Sequence, residues 1–216
     1  MNTQSDGFKV FLGVLGGMVA IVVFGLLLSY APQLATGPIP TPTPGGVAIS
    51  QYRTISSVTL VNQANRPMSL ADLRGKPTLI VFGYTFCPDV CPLSLSDLRR
   101  VKRELGAAGD AVNFVFISVD PERDTPDVLR RYVTAFDPAF IGLTGDEATL
   151  RKLIYEFDGL FEKQKPQGDN PNSYLVAHTS FTYLLDASGR WRMKYSFGTP
   201  IEIIVRDVQA LLQESA

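Results

Sequence analysis

The chain has two cysteines and one histidine. The cysteines stand in a CxxxC arrangement, Phe86-Cys87-Pro88-Asp89-Val90-Cys91-Pro92, and the histidine is His178. Two thiols and an imidazole are the donors a copper site needs. Thiolate sulfur selects Cu(I) and imidazole accepts Cu(I) or Cu(II), so such a set can hold the metal in both states. The same donors with a water would also suit zinc. With no other cysteine present, a disulfide framework is excluded, and each thiol has only the other as an intramolecular partner. A bond across so short a loop would contribute roughly 2 kcal/mol through the denatured state, a weak reason to keep the pair for stability alone. Thiol–disulfide exchange is the second available chemistry, although its common motif is CxxC. A redox-sensing module is a third. Exchange needs only the cysteines, whereas metal retention gains from the histidine. On spacing alone a lone histidine such as His178 is more often a surface or satisfied core residue than a ligand.

The elements around these residues must bring them together. Residues 78–82 (TLIVF) form a continuous apolar, β-rich run, as expected of a strand buried on both faces. The cysteine loop follows directly, and Leu95, Leu98, Val101 and Leu105 then recur at helical spacing, with Pro92 tolerated in the first turn. The thiols are therefore expected between a central strand and a helix start, where unpaired N–H groups and the helix dipole favour thiolate. Residues 112–119 read as a second buried strand. Asp124-Thr125-Pro126-Asp127 opens a helix to about residue 136, with Asp124 or Thr125 as N-cap. A short strand at 140–143 and a helix at 147–157 precede an irregular, turn-rich stretch, 158–172. After His178, strands at 181–185 and 191–197 joined through Asp186-Ala187-Ser188-Gly189 lead to an amphipathic helix, 201–212. Near the start, residues 55–61 and a turn at Asn65-Arg66 suggest a hairpin, followed by a capped turn at 69–73. Strands alternating with helices and ending in a hairpin indicate an α/β sheet covered by helices.

Ahead of this domain, residues 11–30 carry no charge, and at about 1.5 Å per residue they reach about 30 Å, the thickness of a bilayer's hydrocarbon core. The expectation is an uncleaved transmembrane anchor, with residues 1–10 as a short cytoplasmic N-terminus. Lys9 lies on one side of it, while the other side has no basic residue before Arg53, which places the folded domain outside the cytoplasm. No Arg-rich transit peptide is present, so a bacterial inner membrane with a periplasmic domain is expected. Residues 31–47 form a Pro/Gly-rich linker, with prolines at 32, 38, 40, 42 and 44. Polyproline II geometry could hold the domain (48–216) up to about 50 Å from the membrane. The formal net charge is −1, and without a basic stripe nucleic acid is not an expected partner.

The motif array closely resembles the Sco (SenC) family: the CxxxC segment, then Ser118-Val119-Asp120-Pro121-Glu122-Arg123-Asp124-Thr125-Pro126, then His178-Thr179 leading into Tyr183-Leu184-Leu185-Asp186. The resemblance covers roughly residues 50 to 214, and three ordered motifs are far more specific than any one. It implies a membrane-anchored, thioredoxin-like domain, a central mixed sheet covered by helices, that binds copper through Cys87, Cys91 and His178. It further implies a metallochaperone that assists assembly of the dinuclear copper site in cytochrome c oxidase subunit II, with that subunit or another copper chaperone as partner. The alternative is a thiol–disulfide oxidoreductase that reduces the cysteines of that site. Peroxide-reducing relatives resemble the chain in fold but not in the CxxxC-plus-histidine set. One departure stands out, because many members carry an acidic residue immediately before the histidine and this chain has Ala177.

Other residues carry weaker signals. Asp120 and Asp124 could form an acidic docking or supporting cluster beside the cysteine loop, or Asp124 could simply cap a helix. Asp89 could modulate the thiols, face a partner or be a solvated turn residue. Phe82, Tyr84 and Phe86 alternate as core or pocket-wall residues, and Trp191 reads as a strand aromatic near a turn. The 158–172 loop, just before His178, could order over the site.

Overall fold

The computed structural model describes residues 46–166 and 168–214. The expected N-terminus and anchor, and the linker up to Gly45, lie outside the described residues. Among the described residues no helix is long and apolar enough to cross a membrane.

The sheet is built outward from β4 (Thr78–Gly83), which is buried at every position, as its unbroken apolar run requires. β5 (Asn113–Ser118) pairs with it in parallel, from Thr78↔Asn113 to Gly83↔Ser118. β6 (Ile141–Thr144) pairs in parallel with β5. On the other flank β9 (Phe181–Leu185) runs antiparallel to β4 and to β10 (Arg190–Ser196). β1 (Val47–Thr54) closes that edge, and β2 (Thr59–Asn62) with β3 (Pro67–Ser69) closes the other. The order is β1-β10-β9-β4-β5-β6-β2-β3, a mixed sheet with a parallel centre.

Among the described residues four α-helices accompany it: α1 (Val90–Leu105), α2 (Pro126–Phe136), α3 (Glu147–Glu156) and α4 (Ile201–Glu214). Each buries a stripe at helical spacing, such as Cys91, Leu95, Leu98, Val101 and Leu105 in α1. Thr125 caps α2 by accepting from the Val128 N–H at 3.4 Å, with Pro126 opening the helix. The thioredoxin-like expectation of a mixed sheet covered by helices is met.

Three local expectations are corrected. Residues 55–58 are not strand; Ile55 fills the core, and the hairpin runs from Thr59 through a turn in which Asn65 has φ 55°. β1 is not among the expected strands, and no alternation marks it, because Val47 and Tyr52 are exposed and its register breaks between Ala48 and Arg53. Inside the supposedly irregular 158–172 stretch lies β7 (Phe161–Lys163), paired with β8 (Val176–His178) as a separate small sheet. A strand of that length is too short for alternation to announce itself. Trp191 is fully buried, at 5.5 Å from the Tyr183 ring and 5.6 Å from Phe157, and its indole N–H donates to the Met193 carbonyl.

The turn that returns β9 into β10 is organised by Asp186. Its carboxylate accepts from the Ser188 N–H and hydroxyl, the Arg190 N–H and guanidinium, and Arg192. Burial alone would raise its pKa, but these donors hold it down to about 2. The folded value lies below the ordinary carboxylate value of about 3.9, so the stabilisation is full above about pH 4 and disappears as the pH falls towards 2. Asp186→Asn should therefore cost about 2 kcal/mol at neutral pH and flatten the acid limb of the stability curve between pH 4 and 2. Urea unfolding at pH 7, 4 and 2.5 reads both effects; an unchanged acid limb would contradict this role.

Candidate metal centre

The parallel centre of the sheet explains why chemistry-bearing residues separated in sequence meet. β4 and β5 both end at one edge, so the cysteine loop after Gly83 and the 119–125 loop after Ser118 emerge side by side. The carboxyl edge of parallel strands is where α/β proteins place ligands. β9 is antiparallel to β4, with Val81 opposite Thr182, so its beginning lies at the same edge and His178 arrives there just before it.

The ligand atoms of Cys87, Cys91 and His178 all lie within 4.8 Å of one another. Among the described residues this is the one His/Cys/Asp/Glu group with metal-ligand proximity. Both cysteines are free thiols, Cys87 half-buried and Cys91 buried. The His178 Nδ1 sits 3.2 Å from the Thr179 carbonyl oxygen. A carbonyl only accepts, so the proton resides on Nδ1 and Nε2 is the unprotonated nitrogen, able to accept. Nε2 faces the Cys91 sulfur at 3.4 Å, and the thiol donates to it. Burial lowers the His178 pKa, keeping the ring neutral near pH 7, the form that can bind a metal. The edge of one ring meets the face of the other where Tyr84 packs against the imidazole, with centroids 5.8 Å apart.

One electrostatic expectation is overturned. Cys91 lies in the first turn of α1, yet burial pushes its thiol well above the ordinary range, outweighing the Tyr84 main-chain hydrogen bond that lowers it. Desolvation wins over the helix terminus. A metal ion at this site therefore displaces a proton from a protonated thiol.

Gly83 makes the close approach possible. A Cβ there would stand 2.7 Å from the Cys91 sulfur and 2.8 Å from Phe116 Cε2. The cysteine loop is then tied down from below. Asp124 is fully buried and accepts from the Thr85 N–H (2.9 Å), the Thr85 hydroxyl (2.6 Å) and the Ser118 hydroxyl (2.5 Å). It supports the loop and does not cap α2. Asp120 is also fully buried and paired with Arg123, so neither aspartate forms an acidic docking surface. Asp89, the residue preceding α1, is exposed and makes no capping hydrogen bond.

Phe82 and Tyr84 are buried as expected, whereas Phe86 is 58% exposed beneath the Arg123 guanidinium, 4.8 Å from its ring centroid. Ala177 is exposed, and its partner across the β7–β8 ladder is Glu162. The three donors are legible in the sequence, whereas the roles of Gly83, Arg123 and Tyr174 emerge only in the folded chain. The glycine ending a buried apolar strand was a usable signal, since a side chain is absent where others pack.

A thioredoxin-type domain that gathers two thiols and one imidazole at the carboxyl edge of its sheet defines a class of small metal-binding proteins. Residues 48–213 match the family model described as SCO1/SenC, and the chain belongs to that family. It is 33% identical over 205 residues to a SCO2-like protein of Rickettsia felis, covering 94% of this chain and 97% of that one. Among solved structures it resembles Bradyrhizobium japonicum ScoI with copper bound, at 39% identity and TM-score 0.67, covering 74% of this chain and 99% of that one. It also resembles BsSco, described as a member of the Sco family of cytochrome c oxidase assembly proteins in which a disulfide switch was identified, at 26% identity and TM-score 0.62, covering 77% and 98%.

Proposed function

We propose that the protein is a membrane-anchored metallochaperone that holds copper with Cys87, Cys91 and His178 and assists assembly of the dinuclear copper site of cytochrome c oxidase subunit II. The observation that carries this reading is the meeting of three soft-to-intermediate donors within 4.8 Å, with the imidazole tautomer set so that Nε2 is the unprotonated nitrogen. Likeness to a copper-bound ScoI and to an oxidase assembly protein supports the metal and the destination. Two sulfurs and one nitrogen suit copper in either oxidation state, and a partner offering more or better placed ligands can take the ion by stepwise exchange. In this reading the uncharged run at 11–30 anchors the chain in a bacterial inner membrane, and the Pro-rich linker lets the periplasmic domain reach a membrane-bound partner.

The disposition of the thiols supports reduction of the partner's cysteines as a second role. Half-buried Cys87 is accessible while Cys91 is buried behind it. Cys87 as thiolate attacks a target disulfide, one target thiol leaves, and Cys91 resolves the mixed disulfide, leaving Cys87–Cys91 oxidised and both target thiols free. The two roles need the same residues but differ in their need for His178.

Replacing Cys87 by serine in cells should lower the copper content and activity of the oxidase. Oxidase of normal copper content in that background, with the variant protein present at normal level, would contradict the proposed role.

A further inference from the structure

We propose that Arg123 is the positioning residue of the metal centre, a clasp that holds the cysteine loop and the histidine strand in one arrangement. The proposal rests on the copper reading above and adds a residue to it. Arg123 lies in the loop after β5, and its side chain is 7% exposed. One end of the guanidinium is anchored on buried Asp120 through Nε. Its Nη1 donates to the main-chain carbonyls of Asn172 (2.9 Å) and Tyr174 (2.8 Å), in the segment leading into β8 and His178. Its central carbon Cζ lies 3.6 Å from the Tyr174 ring centroid, 4.8 Å from that of Phe86 and 5.6 Å from that of Tyr84. Phe86 immediately precedes Cys87, and Tyr84 packs against His178. Tyr174 completes the clasp by donating its hydroxyl to the other Asp120 oxygen at 2.7 Å.

A single planar cation therefore touches both segments that supply ligands, and touches them through different chemistry. It lies over the rings of Phe86 and Tyr84 on the cysteine side and of Tyr174 on the histidine side, and it hydrogen-bonds to carbonyls of the histidine segment. Lysine cannot do both, since its ammonium is a point donor without a stacking plane. β7 and β8 form their own small sheet, not hydrogen-bonded to the main one, so the placement of His178 against the thiols depends on contacts of this kind. The second terminal nitrogen, Nη2, is buried and has no hydrogen-bond partner. Retaining a donor in that state is costly, and the residue's type is explained by the geometry it imposes.

The test compares full-length wild type, Arg123→Lys, His178→Ala and the double variant, reading Cu(II) affinity by chelator competition and the thiolate-to-copper charge-transfer spectrum. Arg123→Lys keeps a cation beside Asp120 but loses the stack and the paired carbonyl contacts. It should weaken Cu(II) binding about 10- to 100-fold, the range for residues that orient a ligand, and shift the charge-transfer band. Adding His178→Ala to Arg123→Lys should cost much less affinity than His178→Ala costs alone, because the histidine is already displaced. A purely structural residue would lower thermal stability yet leave the spectrum unchanged and the two substitutions additive; either result overturns the proposal. Should Arg123→Lys fail to fold, Tyr174→Phe removes only the hydroxyl anchor on Asp120. It should shift affinity and spectrum in the same direction to a smaller extent, and unchanged values would overturn the proposal. Wild type that retains no Cu(II) would instead refute the copper reading itself.

Discussion

Replacing Cys91 by serine should lower copper affinity by at least about 10³-fold and abolish the thiolate-to-copper charge-transfer absorption. Structural zinc sites built from thiolate and imidazole bind with apparent free energies of about 10–16 kcal/mol, which sets the scale for such donors. Removing one of three donors takes away on the order of 4 kcal/mol, a factor of about 10³. Cys91 is the donor whose loss is felt most. Its sulfur is fixed between Gly83 and His178, 3.4 Å from Nε2, whereas Cys87 lies at the accessible side. The substitution exchanges sulfur for oxygen in a similar volume, so the fold should survive and the loss be confined to the metal. Titration of the purified variant with Cu(I) and Cu(II) against chelators of known affinity checks this; wild-type affinity in Cys91→Ser would place copper elsewhere.

Gly83→Ala should damage stability and metal binding together, although the glycine supplies no ligand. The new methyl would overlap the Cys91 sulfur and the Phe116 ring. The strand cannot move away, because Gly83 is paired with Ser118 on β5 and its carbonyl accepts from the Val119 N–H at 2.8 Å. Overpacking of this kind costs about 1–3 kcal/mol. The sulfur is the atom freer to yield, and its displacement from His178 should lower copper affinity about 10- to 100-fold. Adding Phe116→Leu should recover part of the stability by making room on one side, while the methyl still meets the sulfur and affinity stays low. Thermal unfolding and copper competition on the two variants separate these effects; equal recovery of both would show that the glycine serves core packing alone.

The centre was legible in the sequence because its donors are scarce. With one histidine and two cysteines available, motif order supplied the set, and the buried run at 78–82 announced the strand that delivers the thiols. What was not legible was any property arising from the meeting of distant segments. The helix start after Cys87 argued for a stabilised thiolate, but burial of Cys91 beneath the sheet edge reverses that. Asp124 looked like a cap because its neighbours have the sequence of one, yet Thr125 performs the capping and Asp124 turns inward to Thr85 and Ser118. β7 and β8 escaped because Phe161–Lys163 and Val176–His178 are too short to show a period and find each other across an intervening loop. Arg123 gave no signal beyond its motif, since its contacts lie 49 and 51 residues away at Asn172 and Tyr174.

X-ray absorption at the copper edge, on the full-length protein loaded separately with Cu(I) and Cu(II) and with metal stoichiometry determined on the same samples, reads the donor set itself. One copper per chain is expected, bound by two sulfurs and an imidazole nitrogen, with the nitrogen shell lost in His178→Ala. Failure to retain copper, accompanied by ready oxidation of Cys87 and Cys91 to a disulfide, would contradict it and make thiol exchange the primary activity.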